Sequence, residues 1–307
     1  MTELRVAALI VNWNTRDLLT RCLEALYAHP PAAPFETVVV DNASSDGSAE
    51  MVRQRFPQVR LIQNEENTGF ARACNRGIQH TSAPFLLLLN PDCFLQPGTV
   101  DTLLEFLEQH SRVAVAGPRL LDRSGHPQLS AHPFPSLWRE FWRLFHLDRI
   151  RPLSQYPLSF WQNPMPQQVD IVQGACMLLR RSALPDGQPF DEDFFMYTEE
   201  VDLCYRLRRA SWEVCWVPEA VAVHLGGEST RQASLEMFLQ LYRSKVLFFR
   251  KHRGRPAALA YKMLLALAAL TRILLAPLLA LARPAHCAHL QEVRMRYCYL
   301  LRRLTEM

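Results

Sequence analysis

Three groups of residues in this chain are of types that could do chemistry together. The first is Asp92. It closes the stretch "LLLLNPDCFLQPG", Leu86 to Gly98, which reads as a strand buried on both faces that turns polar at Asn90 and carries a single acid into a turn. An Asn-Pro-Asp turn caps many strands for structural reasons alone, so Asp92 gains meaning only from its company. The second is His224, between the apolar "VAV" and "LGG". A carboxylate and an imidazole suit a hard divalent cation, Mn²⁺ better than Mg²⁺, and leave coordination positions for a substrate diphosphate. Alone, His224 reads as a satisfied core or loop histidine. The third is the acidic "TEEVDLCYR", where Thr198 is positioned to cap a helix whose first turn holds Glu199, Glu200 and Asp202. Alone, this is a first turn that complements the helix dipole, with Asp202 and Arg206 paired at i,i+4. At about 100° per residue, 199 and 202 share a side and Glu200 points elsewhere. A neighbouring carboxylate would lift the Glu200 pKa toward the range a general base needs.

The elements that must position these residues follow from periodicity. "LRVAALIVNWN" is a strand-length apolar run ending in a polar turn, and "TRDLLTRCLEALYAH" repeats apolar residues at a helical period. "FETVVVDNASSDGS" is a second buried strand ending in Asp41, "AEMVRQRFP" a short helix stopped by proline, and "VRLIQNEENTGFARACNRGIQH" a strand, a loop and a helix. With "PFLLLLNPD" as the fourth strand, this alternation predicts a mostly parallel sheet with helices on both faces. Ligands of such sheets sit beyond the carboxyl ends of the strands. The unusual polar residues fall there: Asn12, Asn14, Asp41, Asn42, Asn67 and Asp92. A proline- and aromatic-rich middle, roughly 118–170, reads as loops and one amphipathic helix (Trp138, Phe141, Trp142, Phe145) over the sheet. "VDIVQGACMLLRRSAL" returns to a strand, "EVCWVPEAVAVHLGG" to two short strands, and the tail from about Ser234 is helical.

Composition narrows the class. The 307 residues are 49% hydrophobic, ordinary for a chain that buries a core. The net charge of +4 is unevenly spread: Arg231 to Met307 holds 14 Lys and Arg against 3 Asp and Glu, leaving 20 and 27 in the first 230 residues. An acidic body thus carries a basic tail, and no nucleic-acid partner is expected. The eight cysteines show no C-x-x-C pair and no zinc spacing, and Met1-Thr2-Glu3 leads straight into a strand, which predicts a reducing cytoplasm. The turn after the first strand, "VNWNTRDL", lacks the glycines of a dinucleotide-binding fold, and the P-loop pattern is missing.

Taken in order, "VNWNTRDLL", "VVVDNASSDGS", "NTGFARACNRGI", "LLLLNPD", "GACMLLRR", "FDEDFFMYTEEVDLCYRLRRASW" and "VHLGGEST" resemble the family-2 glycosyltransferases of the GT-A fold. The likeness covers about residues 4 to 255 and is nearest to bacterial rhamnosyltransferases of cell-surface polysaccharide assembly. The resemblance implies an α/β fold of GT-A type, a Rossmann-like mostly parallel sheet flanked by helices. It also implies inverting transfer of a sugar from a nucleoside diphosphate sugar, with Mg²⁺ or Mn²⁺. By position it makes Asp92 the metal-ligating acid of the family's D-x-D site, with Asn90 where many members carry the first acid, beside His224 as the imidazole read above as a metal ligand. Asp41 matches the acid that accepts from a uracil or thymine imide N–H. Asn12 and Thr15 match the first nucleotide-contacting turn; Asn42 and Asn90 join the donor set; Asn67, Gly69, Phe70 and Asn75 match the loop that closes on nucleotide and ribose. Glu199-Glu200 matches a catalytic acidic pair whose second member is the base, so Glu200 is read as base with Glu199 shaping acceptor binding, beside Gly174 and Asp202.

The expected reaction moves a sugar, rhamnose first and galactofuranose, glucose or mannose as alternatives, from a dTDP- or UDP-sugar to a hydroxyl of a lipid-linked glycan. The rival of another class is a nucleotide-sugar-binding scaffold without catalysis. The catalytic domain is expected over 1–233, with a nucleotide-sugar half to about 117 and an acceptor half from about 118. A basic, apolar helical region follows over 234–307. Within it "ALAYKMLLALAALTRILLAPLLALA", Ala258 to Ala282, approaches spanning length, but Lys262, Arg272 and Pro277 interrupt it. Flanking cations (Arg250, Lys251, Arg253, Arg255, Arg283) suit an anionic leaflet. A membrane-associating tail lying on the inner face of the cytoplasmic membrane, peripheral or monotopic, is therefore expected over a span.

Overall fold

The computed structural model describes residues 3–186, 188–226, 234–282 and 287–307. The end of the "VHLGGEST" motif (227–230), the boundary expected at 233 and the flanking cation Arg283 lie outside them. The chain divides into two compact units, Met1–Phe134 with Leu158–Gln232, and Pro135–Pro157 with Ala233–Met307.

The first unit begins with β1 (Val6–Asn12), α1 (Arg16–Ala28), β2 (Phe35–Asp41), α2 (Ser48–Arg55), β3 (Arg60–Gln63), α3 (Phe70–Gln79) and β4 (Phe85–Leu89). The alternation of strand and helix is the one that periodicity predicts. It continues through β5 (Cys93–Leu95), α4 (Thr99–Gln109), β6 (Val113–Leu121) and the short β7 (Ala131–His132). After the second unit's α5 (Leu137–Leu144) come α6 (Leu158–Gln162), β8 (Gln167–Gln168), β9 (Ile171–Val172), β10 (Cys176–Arg180), α7 (Glu199–Arg209) and β11 (Glu213–His224).

The main sheet runs β3-β2-β1-β4-β10-β6-β11-β5, with β8 on β11. Its first four strands are parallel, β10 is antiparallel to both neighbours, and β5 is antiparallel to β11. It is thus a mixed sheet whose parallel half is the region of clearest alternation. Strands β1, β2 and β4 are apolar on both faces because helices cover both, and a single core joins Leu19 and Leu23 of α1, Leu103 and Leu107 of α4, and Ile10, Leu87 and Leu178 of the sheet. Instead of two short strands, 213–224 forms one, with a register shift between Val217 and Val221 around Pro218. The proline lacks an N–H for the ladder, so the strand bulges there and stays continuous.

Register decides what gathers at one edge. Asn12 pairs with Asp41 at the carboxyl ends of β1 and β2. Because β10 runs the other way, its amino end, Cys176 opposite Leu89, brings Gly174 and Ala175 to the carboxyl end of β4. His224 ends β11, opposite Cys93 of β5, one residue past Asp92.

In the second unit, α5 packs on α8 (Ser234–Ala282), which packs in turn on α9 (Cys287–Arg303). The aromatic helix expected over the sheet belongs to this unit, because its Leu144 joins Leu239, Tyr242, Val246, Phe249, Tyr261, Leu265 and Leu300 in a second apolar core. Glu140 of α5 is buried there and neutralised by Arg143 and by Lys245 at 3.2 Å, with the Tyr261 hydroxyl donating to it at 3.1 Å. Helix α8 breaks at Gly254, at φ 84°, and Pro256 starts its second half. That half buries Ala258, Tyr261, Leu265, Ala268 and Ala269, while Leu259, Met263, Leu267, Leu270, Leu274 and Leu278 form an exposed apolar stripe, each 48–67% accessible. Arg272, expected to interrupt an apolar surface, turns inward onto the Leu144 carbonyl and the Tyr297 ring. By length and composition alone, Leu235–Leu278 is apolar enough to cross a membrane.

Candidate active site

A cleft of about 200 Å³ opens at the carboxyl edge of the sheet. Among its lining residues are Phe70, Asn90, Asp92, Gly174, Glu199, Glu200 and His224, which come from five separate stretches of sequence. Each arrives for a local reason. The turn after β4 is held by the Asn90 N–H donating to the Ala175 carbonyl (2.9 Å) and the Cys93 N–H to the Asn90 carbonyl (3.0 Å). That turn presents Asp92. The Leu225 N–H donates to the Asp92 carbonyl at 3.0 Å and draws the end of β11 alongside.

His224 and Asp92, both buried, then face each other with Nε2 3.5 Å from Oδ1. Gln128 sets the imidazole. Its Nε2 donates to the His224 carbonyl at 2.7 Å, so its Oε1 is the atom 3.1 Å from Nδ1 and accepts the Nδ1 proton. In the neutral ring this leaves the Nε2 lone pair directed toward a carboxylate, an arrangement that a cation between them satisfies. Two protein donors are few for a hard cation, which leaves positions for phosphate oxygens and water. No group of three His, Cys, Asp or Glu side chains that could hold a metal occurs among the described residues.

The acidic helix start departs from expectation in two ways. Thr198 is the N-cap residue of α7, but it sits at φ 74° after Tyr197 at φ 65°, and its side chain makes no capping bond. Two successive left-handed residues without glycine mark strain of the sort that collects at functional sites. That turn also brings Glu199 and Glu200 both to the cleft, although successive helical positions diverge. Burial pushes the Glu199 carboxyl well above the usual carboxylate range, and the adjacent Glu200 charge raises it further. Burial also lifts Glu200, against the peptide N–H groups of Thr198, Glu200 and Val201, which favour its anion. Gly174 lies against Glu200, its missing Cβ position 3.5 Å from the Glu200 Cβ. Asp202, expected at the acceptor, is instead fully buried, 2.7 Å from Arg206 Nε. Arg206 also donates to the Pro189 carbonyl at 2.5 Å, so the pair ties α7 to the preceding loop, and Asp202 has no surface to offer an acceptor.

The residues expected at the donor form two further clusters. Asp41 is buried, with Oδ1 accepting from Asn12 Nδ2 and Oδ2 from the Ser44 N–H, both at 3.0 Å. Two of its roughly four lone-pair directions are thereby used. The Thr15 hydroxyl donates to Asn12 Oδ1 at 2.6 Å and orients that amide. In the second cluster Asn42 donates to Asn67 Oδ1 (3.1 Å) and the Gly69 carbonyl (3.2 Å), and accepts from Asn64 (2.6 Å). Gly69, at φ 84°, is required: a Cβ there would lie 2.4 Å from the Phe195 carbonyl oxygen, which accepts from the Phe70 N–H at 2.7 Å. Asn75, expected at the nucleotide, is spent elsewhere. Its amide donates to the Phe190 carbonyl (2.8 Å) and to Glu192 (3.1 Å) and accepts from the Phe190 N–H (2.9 Å), so it holds the 190–192 loop against α3.

Sequence reasoning missed Gln128, Gln173, Met196 and Tyr197. Gln128 sits in the irregular middle, 96 residues from its partner, and carries no local signal. Ser44 and Asn64, by contrast, lie in polar loops already marked as strand ends.

The family model described as "Glycosyltransferase like family 2" matches residues 4–243. An N-acetylglucosaminyl-diphospho-decaprenol L-rhamnosyltransferase of Mycobacterium tuberculosis is 31% identical over 236 residues, 72% of this chain and 76% of the relative. The low-salt glycan biosynthesis hexosyltransferase Agl10 of Haloferax volcanii is 26% identical over 79% of this chain and 74% of its own. Among solved structures, a mannosyltransferase from Pyrobaculum calidifontis in complex with GDP-Man and Mn²⁺ superposes with a TM-score of 0.60 at 17% identity, covering 97% of this chain and 85% of that one. That likeness shows the fold, a GT-A sheet flanked by helices. With the family model matching most of the chain and the rhamnosyltransferase agreeing over nearly three quarters of it, the chain belongs to the family-2 glycosyltransferases.

Proposed function

We propose that this glycosyltransferase moves rhamnose, with inversion, from a dTDP- or UDP-sugar to a hydroxyl of a lipid-linked glycan at the inner face of the cytoplasmic membrane. The observation that carries the reading is the convergence of Asp92, His224, Glu199 and Glu200 on one cleft, in a chain similar to a rhamnosyltransferase that acts on a lipid diphosphate sugar.

In this reading Glu200, half-buried at the cleft with Gly174 against it, takes the acceptor hydroxyl's proton as that oxygen attacks the anomeric carbon. Asn12, Thr15 and Asp41 hold the nucleobase, and the Asn42–Asn67–Gly69 network sets the loop that covers the ribose. Asn90 lines the diphosphate end. Asp92 and His224 would hold Mg²⁺ or Mn²⁺, which neutralises charge on the leaving diphosphate. The donor half is assigned to about 1–117 and the acceptor half to the rest of the first unit. The exposed stripe of α8, beside the exposed Arg250, Lys251, Arg253 and Arg255, suits an anionic interface and brings the enzyme to a lipid-held acceptor.

The test is a thermal-shift panel of nucleotide sugars with Mn²⁺, followed by transfer assays on a lipid diphosphate N-acetylglucosamine. A donor bound to the native state at 100 times its Kd adds about 2.7 kcal/mol. Stabilisation by dTDP-rhamnose and transfer of rhamnose are expected. Stabilisation and turnover with a different sugar alone would replace the donor assignment.

A further inference from the structure

The two adjacent carboxyls at the start of α7 are not equivalent. Glu199 is 6% exposed, and its Oε2 is buried without a hydrogen-bond partner. An ionised carboxylate with such an oxygen carries a heavy desolvation penalty, whereas a neutral acid carries far less. Glu200 is more open, lines the same cleft, and receives the unpaired N–H groups of its own helix start. Charge on the pair is therefore cheap at 200 and costly at 199. The remaining titratable groups around it do not reverse this. Cys74 of α3 and Cys204 of α7 are buried thiols pushed up by burial, the latter to about 12, and stay neutral. Tyr197, Asp92 and His224 line the same cleft, but Glu200 is the one neighbouring charge that raises Glu199.

We propose that Glu199 and Glu200 share a single proton held on Glu199, a positioning residue that keeps the pair's one negative charge on Glu200. The inference rests on the reading of Glu200 as the base. As the acceptor oxygen bonds to the anomeric carbon, the bond to the diphosphate breaks and its electron pair leaves on the phosphate oxygen. The hydroxyl proton moves to Glu200, which later releases it to water. Glu199 keeps its own proton throughout. With one charge instead of two, the cleft repels an incoming anionic donor less, and the base strength of Glu200 is set by its own surroundings.

Two measurements test this on the full-length protein. In infrared difference spectra at neutral pH, the wild type and Glu200→Gln should both show the carbonyl stretch of a protonated carboxylic acid, and Glu199→Gln should lack it. In the pH profile of kcat, Glu199→Gln replaces one neutral group by another. Whatever the change in turnover, the acid limb, set by Glu200, should not move. An ionised Glu199 in the wild type would instead send that limb to lower pH by about a unit or more in the variant, because a neighbouring negative charge is lost. That shift, or an unchanged carboxyl band in Glu199→Gln, overturns the proposal. If Glu199→Gln does not fold, Glu199→Asn and the wild-type infrared titration decide it. The infrared result needs no turnover: a protonated Glu199 in a protein that transfers no sugar would overturn the assigned reaction and leave the shared proton standing.

Discussion

His224 Nε2 lies 3.5 Å from Asp92 Oδ1, although 132 residues of chain separate them, because β11 and β5 pair antiparallel and the Leu225 N–H binds the Asp92 carbonyl. Gln128 holds the far side of the imidazole from a third stretch of chain. Backbone pairing thus brings the carboxylate and the ring together, and a side-chain hydrogen bond supports the ring.

Removing the carboxylate should remove the site. Asp92→Ala is expected to abolish transfer and divalent-dependent donor binding while the folded protein persists by circular dichroism. Gln128→Ala should weaken Mn²⁺ binding by about 10- to 100-fold, the usual effect of losing a group that orients a ligating histidine. Titration with Mn²⁺ in the presence of a nucleoside diphosphate reads both. Near-normal activity in Asp92→Ala would refute the assignment.

Asp41 is expected to select the base. A carboxylate accepts from the imide N–H of uracil or thymine, so Asp41→Asn should raise KM for a pyrimidine donor more than it lowers kcat. Because Asp41 also accepts from Asn12 and Ser44, Asp41→Ala should in addition lose about 1–3 kcal/mol of stability to the unpaired donors. Tight binding of a guanosine diphosphate sugar by the native protein would contradict the role.

Gly69→Ala should be costly far beyond its size. Its φ of 84° and ψ of 170° fall in a region that is nearly glycine-only, and the new methyl would meet the Phe195 carbonyl at 2.4 Å. A loss of about 2 kcal/mol or more is expected by urea denaturation, with weaker donor binding. A neutral substitution would mean that the loop is free to shift.

The α8 stripe should bind an anionic surface. Co-sedimentation with phosphatidylglycerol vesicles is expected for the native protein, falling with salt as the Arg250–Arg255 charges are screened. The double substitution of Leu267 and Leu274 by Glu should lower it at least tenfold while leaving transfer to a water-soluble acceptor unchanged. A protein indifferent to lipid, or one that self-associates through the stripe, would show that the face serves another purpose.

Much of the fold was legible in the sequence. The parallel half of the sheet followed from apolar runs and helical periods, since burial on both faces leaves a continuous hydrophobic signature. The polar strand ends followed too, because a turn-forming Asn or Asp after such a run marks where the chain leaves the buried sheet. The buried pairing of Asp202 with Arg206 was readable as an i,i+4 spacing, which made its expected place at the acceptor inconsistent with its own helix. What the sequence could not decide has one physical character: it depends on which distant segments share an edge or a core. The amphipathic period of Trp138 and Phe145 shows that α5 buries a face but not against what, and the C-terminal helices proved to be its partner. Asn75 looked like any amide on α3 until the Phe190 backbone claimed it. Glu199 and Glu200 have the same side chain on adjacent positions. Only the surrounding packing, which buries one carboxyl oxygen without a partner and leaves the other carboxyl at the cleft beside peptide N–H groups, separates them, because the cost of a charge is set by its surroundings in three dimensions.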